Sequence, residues 1–127
     1  MRFIICLSAT LCLWVGPTEA PAMAAKHASF RLNETTWTYV FNGKKTQESI
    51  DADGNYVENV IGGKNIDYGT AVMKNNEACF TSAIVKKESC WAVEPVRIGH
   101  SIIATSHNNG VKLKLTRVSY VKLSMPK

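Results

Sequence analysis

The run Thr36-Trp37-Thr38-Tyr39-Val40-Phe41-Asn42-Gly43 carries two signals at once. Trp37, Tyr39 and Phe41 point one way, with Thr36, Thr38 and Val40 opposite, and a period of two belongs to a half-buried strand. Asn42-Gly43 then accepts the positive φ angles of a tight hairpin. The same punctuation recurs at Asp53-Gly54, Gly62-Gly63, Asn75-Asn76 and Asn108-Asn109-Gly110. A turn about every ten residues is the rhythm of an all-β meander. Near the C-terminus, Val111, Leu113 and Leu115 alternate with Lys112, Lys114 and Thr116. No window carries a helical stripe beyond the N-terminal segment.

About eight strands are predicted, near 36–42, 45–51, 55–61, 65–73, 78–84, 89–94, 97–106 and 111–121. Pro95 breaks the chain between the sixth and seventh, because proline cannot donate to a ladder. Residues 26–33 read as a loose lead and 124–127 as a frayed tail. Eight short antiparallel strands with open edges invite aggregation. The expected fold is therefore all-β, a small antiparallel up-and-down (meander) β-barrel closed by pairing of Trp37–Phe41 with Val111–Val118. A two-sheet sandwich is the alternative. At eight strands the interior is filled by side chains or holds one small ligand.

The chain has 127 residues, enough for one domain. Residues 1–25 read as a secretory signal peptide: Arg2, then the apolar run Phe3–Val15, then small residues at Ala20, Ala22, Ala24 and Ala25. That run is too short to span a bilayer. The expected product is one exported domain, 26–127, periplasmic or secreted, monomeric and without a transmembrane segment. A large enzyme, a two-domain nucleotide binder, a channel and a long coiled coil are excluded by size.

Cys6 and Cys12 fall in the signal segment, and Cys12 lacks the small preceding residue of a lipoprotein box. Cys79 and Cys90 remain, an even pair that reads as a disulfide in an exported chain. Ten intervening residues fit neither a redox Cys-x-x-Cys nor a zinc knuckle.

The formal charge is +5, from 15 Lys+Arg against 10 Asp+Glu. No acid follows Glu94, while Arg97, Lys112, Lys114, Arg117, Lys122 and Lys127 do. Such a face attracts anionic lipid or acidic glycan, or is simply solvated. Arg97, Lys112 and Lys114 are the candidate contacts with an anionic envelope component. No nucleic-acid partner is expected.

The phrases Trp37-Thr38-Tyr39, Glu48 through Tyr56, Gly69-Thr70-Ala71, Cys79-Phe80 and Cys90-Trp91 resemble a set of small exported proteins of Gram-negative bacteria. That resemblance covers most of the mature chain and implies an architecture and a compartment, but no activity. A fainter likeness to lipocalins rests on Trp37 in the first strand, although Thr35 stands where their Gly-x-Trp has glycine. It implies a basic residue on the last strand against the tryptophan, a part open to Arg117. Periplasmic lysozyme inhibitors are similar in size, export and disulfide, but their inhibitory loop motifs are absent.

The candidate chemistry is sparse. Asp51, Asp53 and Asn55 suggest either a weak calcium loop or a turn capped by its own aspartate, and the EF-hand spacing is not met. His100 and His107 lack a third metal ligand. A regular seventh strand puts His100 on one face with Ile102 and Ala104, partly buried, and leaves His107 exposed in the next turn. No nucleophile elbow exists, and carboxylates lie mostly near turns, so a glycosidase pair is unsupported. No catalytic residue, cofactor or metal is assigned.

Trp37, Tyr39, Phe41, Tyr56, Tyr68, Phe80 and Trp91 are read as core and girdle residues or as the lining of a ligand cavity, with all of them but Phe80 taken as the candidate lining set. The expected function is a non-enzymatic module binding a small apolar ligand or an envelope component. The alternative is an inhibitor acting on another periplasmic protein through a loop at 84–89. A wide apolar interior favours the first, a packed interior with a protruding loop the second. Polar groups converging in one cleft would favour an enzyme.

Overall fold

The computed structural model describes residues 30–127, so residues 1–25, expected to be a signal segment, lie outside the described residues. Eight strands follow one another: β1 (Thr35–Phe41), β2 (Lys44–Ile50), β3 (Asn55–Val60), β4 (Asn65–Lys74), β5 (Glu77–Ser82), β6 (Glu88–Ala92), β7 (Ser101–Ser106) and β8 (Lys112–Val118). Each pairs with its neighbours in sequence, and the sheet closes on itself as a barrel. Closure is made by antiparallel pairing of β1 with β8, with Thr36 opposite Val118, Trp37 opposite Arg117 and Thr38 opposite Thr116. The sandwich alternative is thereby excluded.

The turns behave as their residues dictate. Asn42 (φ 48°) and Gly43 (φ 72°) form the two-residue β1–β2 turn, and Asn75 (φ 47°) and Asn76 (φ 64°) form the β4–β5 turn. Left-handed values at both central positions match the twist of a hairpin. Between β2 and β3, Asp51 caps its own turn, accepting from the Asp53 and Asn55 amides and from Asn55 Nδ2 at 2.8–3.0 Å. These hydrogen bonds commit the carboxylate, as the turn reading requires.

Gly69 marks a close approach of two backbones. A Cβ placed there would lie 2.0 Å from the Thr81 carbonyl oxygen on β5, so no larger residue fits without moving a strand.

The closed end holds the small core of Leu32, Trp37, Ile50, Tyr56, Ala71 and Ala78, with Phe30, Val93 and Val96 packed against it. Phe30 meets Trp37 edge to face at 6.1 Å. Residues 93–100 form a loop, so β7 begins at Ser101 rather than near 97. Its carbonyls anchor on Arg117, whose guanidinium donates to Val96 O at 2.8 Å and whose amide donates to His100 O at 3.0 Å. His100 is consequently exposed in that loop and not on a buried strand face with Ile102 and Ala104.

The C-terminal residues also depart from expectation. The last strand ends at Val118, and the chain then crosses the outside of β1–β3. The Val121 amide donates to Thr36 Oγ1 at 2.8 Å, and Thr36 Oγ1 is 2.8 Å from Ser49 Oγ. A shallow groove joins Ser49 and Val57 to Tyr120, Leu123 and Met125. The outward-facing Thr36 (0% exposed) and Val57 (3%) are therefore covered by a strap, not left beside a frayed tail.

Cys79 and Cys90 face each other across β5 and β6 with Cα atoms 4.0 Å apart, joined as a disulfide. Ala78 and Phe80 point inward on β5, so the bridge lies on the outer face. Closing so short a loop restricts the unfolded chain. The double variant Cys79→Ser with Cys90→Ser should lose about 3 kcal/mol in urea denaturation. Gly69→Ala should lose about 1–3 kcal/mol in the same measurement, since the added methyl meets backbone and not a movable side chain.

Candidate functional site

Strand alternation, once the barrel is closed, sends one set of side chains inward. At the closed end they pack into the core just described. Toward the other end they leave a cavity of about 630 Å³, within the range of roughly 300–1,000 Å³ usual for small-molecule sites. Its mouth lies where the β1–β2, β3–β4, β5–β6 and β7–β8 connections gather, and is rimmed by Phe41, Ile66, Ile84 and Val85. These are among the exposed large apolar side chains, Ile84 at 53% and Val85 at 63%.

Of the six expected lining residues, Trp37, Tyr39, Phe41, Tyr56 and Trp91 all face the cavity, joined by Phe80, Leu113 and Leu115. Tyr56 and Phe80 hold each other edge to face at 5.2 Å. Tyr68 does not line it. On β4 the inward position is Asp67, and Tyr68, next along the strand, pairs with the outward Val57. A bulge places Ile66 between the Glu58–Asp67 and Asn59–Asn65 pairs. Asn65 Nδ2 stitches it by donating to Glu58 O, Asn59 Oδ1 and Asp67 O.

Three carboxyl groups share this interior. In register around the barrel, Arg117, Trp37, Glu48, Glu58 and Asp67 stand side by side on β8, β1, β2, β3 and β4. Glu48, Glu58 and Asp67 all line the cavity, so the carboxylates are not confined to turns. The Tyr39 hydroxyl donates to Glu58 Oε1 at 2.7 Å and the Tyr56 hydroxyl to Asp67 Oδ2 at 2.8 Å. Ser82 Oγ donates to the other oxygen of Asp67 at 2.7 Å. Glu48 receives no such bond among the described residues.

The electrostatics follow from this crowding. Burial pushes the Glu48 carboxyl up to about 8, with the neighbouring Glu58 and Asp67 adding to the shift. Burial raises Glu58 as well, opposed by the Tyr39 hydrogen bond and reinforced by Asp67. Burial, followed by the acids beside them, holds the Tyr39 and Tyr56 hydroxyls well above the usual phenol range. In the β2–β3 turn, partial desolvation of Asp51 is outweighed by its hydrogen bonds, which hold it below the ordinary aspartate value.

The basic residues do not form one patch. Lys112 and Lys114 lie exposed on the outer face of β8, opposite Thr105 and Ile103 of β7. Arg97 belongs to the loop before β7, beside the Arg117 end of β8 and away from Lys112. His107 is exposed in the β7–β8 turn, its Nδ1 3.0 Å from Glu77 Oε1. Among the described residues, the potential metal ligands that converge are Glu77, Cys79 and Cys90, whose two sulfurs are already bonded to each other.

No protein family, curated protein or solved structure matches this chain.

Glu48 gives the site a measurable pH signature. Its carboxyl titrates near 8 in the folded barrel and near the ordinary 4.5 when unfolded. Between these values the folded state binds more protons, so this group makes stability fall as pH rises from about 4.5 to about 8 and level off above. Glu48→Gln should therefore match the wild type in urea denaturation at pH 4 and exceed it by on the order of 3 kcal/mol at pH 8.5.

Proposed function

We propose that this protein is an exported, non-enzymatic module that holds a small ligand with an apolar body inside its barrel. The single observation that carries this reading is the cavity of about 630 Å³ with predominantly apolar walls, opening through an apolar rim. A domain with so few fully buried side chains gains stability by filling its interior. An interior left open, and lined by aromatic rings, is an arrangement that a ligand completes.

The inhibitor reading drew on a protruding loop at 84–89. Here Ile84 and Val85 are part of the cavity mouth, so their exposure serves ligand entry as readily as a partner. Contact with an anionic envelope component rests on Lys112 and Lys114 alone, at about 1 kcal/mol each, and takes second place. Converging polar groups raise acid–base catalysis as a question. Glu58 and Asp67 are engaged by Tyr39, Tyr56 and Ser82, which favours orientation of a ligand over attack on it.

The test uses N-phenyl-1-naphthylamine, an uncharged apolar probe that fluoresces on leaving water. The disulfide-intact protein should give a saturable rise in emission. Leu113→Trp, which places a large ring in the cavity, should abolish the rise while leaving the far-ultraviolet dichroism unchanged. No emission from the wild type would overturn the reading.

A further inference from the structure

Resting on the reading of the barrel as a ligand site, we propose that its ligand carries a protonated amine, seated against Glu48, Glu58 and Asp67, on an aromatic or aliphatic body that fills the apolar half. Apart from Glu88 on β6, the carboxyls that line the cavity belong to this one row. The cation on the lining, Lys87, stands on the β5–β6 loop at the mouth. Glu88, beside it, is engaged by Lys74 on the outside of the barrel.

The row is not merely an acidic cluster, because its members differ in what satisfies them. Glu58 and Asp67 have hydroxyl donors from Tyr39, Tyr56 and Ser82. Glu48 is half-buried on the cavity wall and has no donor from the described residues. A cavity carboxyl with no protein donor is the one left open for a donor supplied by a ligand. An ammonium group supplies three donors and the compensating charge. A ligand carboxylate would instead bring a like charge into a row of acids with no base among them. The groups facing Glu48 from the neighbouring strands are Tyr39, Tyr56, Glu58 and Asp67, none of them basic.

The geometry also couples binding to a proton. With Glu48 titrating near 8, its carboxyl is mostly protonated in the open barrel at pH 7. An ammonium beside it favours the ionised form and drives that proton off.

The test is calorimetric titration of the disulfide-intact protein with three probes sharing one ring system: 2-naphthylmethylamine, 2-naphthalenemethanol and 2-naphthoate. At pH 7 the amine should bind at least about tenfold more tightly than the alcohol, and the naphthoate should not bind. Titrations in two buffers of different ionisation enthalpy should show close to one proton released per amine bound. Glu48→Gln should reduce the amine-over-alcohol preference at least about fivefold. Glu58→Gln serves as a second variant, and Lys45→Ala, on the outside of β2, should leave the preference unchanged. Equal binding of amine and alcohol, tighter binding of naphthoate, or a preference that survives both glutamate variants would overturn this inference and leave the ligand-binding reading standing. Failure of all three probes to bind would overturn both.

Discussion

Closure of β1 onto β8 is the constraint from which the rest of the structure follows. Three register pairs, Thr36–Val118, Trp37–Arg117 and Thr38–Thr116, convert an open meander into a ring. A ring has a single inside, so each strand's alternation stops being a local preference and becomes an assignment to core, cavity or solvent. Trp37, Tyr39 and Phe41 enter the interior for that reason, and Glu48, Glu58 and Asp67 enter with them. The strap at 119–125 depends on the same closure. It leaves β8 next to β1 and therefore reaches Thr36 and Ser49 from outside.

Stability is distributed around an interior that contributes less than a filled one would. The closed end supplies the apolar core. Outside the barrel, the Cys79–Cys90 bridge ties β5 to β6. The next seam, β6 to β7, has only Trp91–Ser106 and Ala92–Thr105 in register. The loop at 93–100 spans that seam and is held by Arg117. A covalent tie on one side of β6 and a hydrogen-bonded loop on the other thus flank the thin β6–β7 ladder, which fits a barrel that cannot rely on packing along its whole length.

Much of this was legible in the chain because period-two alternation and turn chemistry are local. The two-residue turns at Asn42-Gly43 and Asn75-Asn76 set register directly, and strand positions, closure and the disulfide follow from local signals plus the need to remove edges. What was missed is non-local or runs against type. The carboxylates are expected mostly near turns, and Glu48 and Glu58 are not singled out, since acids seldom line an interior. Their parity with Ile50 and Tyr56, buried two residues away on the same strands, was the available signal. With the β1–β2 turn fixed, counting back from Phe41 opposite Lys44 already sets Glu48 against Trp37. Tyr68 was assigned inward by its aromatic type, whereas its strand partner Val57 faces the strap. The strap and the exposed position of His100 depend on loop paths that no periodicity encodes.

The molecule ends up with opposite electrostatic characters inside and out. Its formal charge is +5, yet the strand residues lining the cavity include acids and no base, Lys87 standing on the β5–β6 loop. At physiological ionic strength the exterior field fades over about 8 Å, so the basic outer strands weakly oppose the approach of a cation without governing its bound state. Inside, water is limited and the three carboxyls lie on adjacent strands in one register row, where Coulomb interactions are least screened. Burial and the neighbouring acids disfavour the ionised form of Glu48 in that row. An apolar interior of the same volume would be more stable and would accept any greasy molecule. On the proposed reading, acids in this lining sacrifice stability for discrimination by charge, because a polar group left without its partner penalises the wrong ligand far more than added apolar contact rewards the right one.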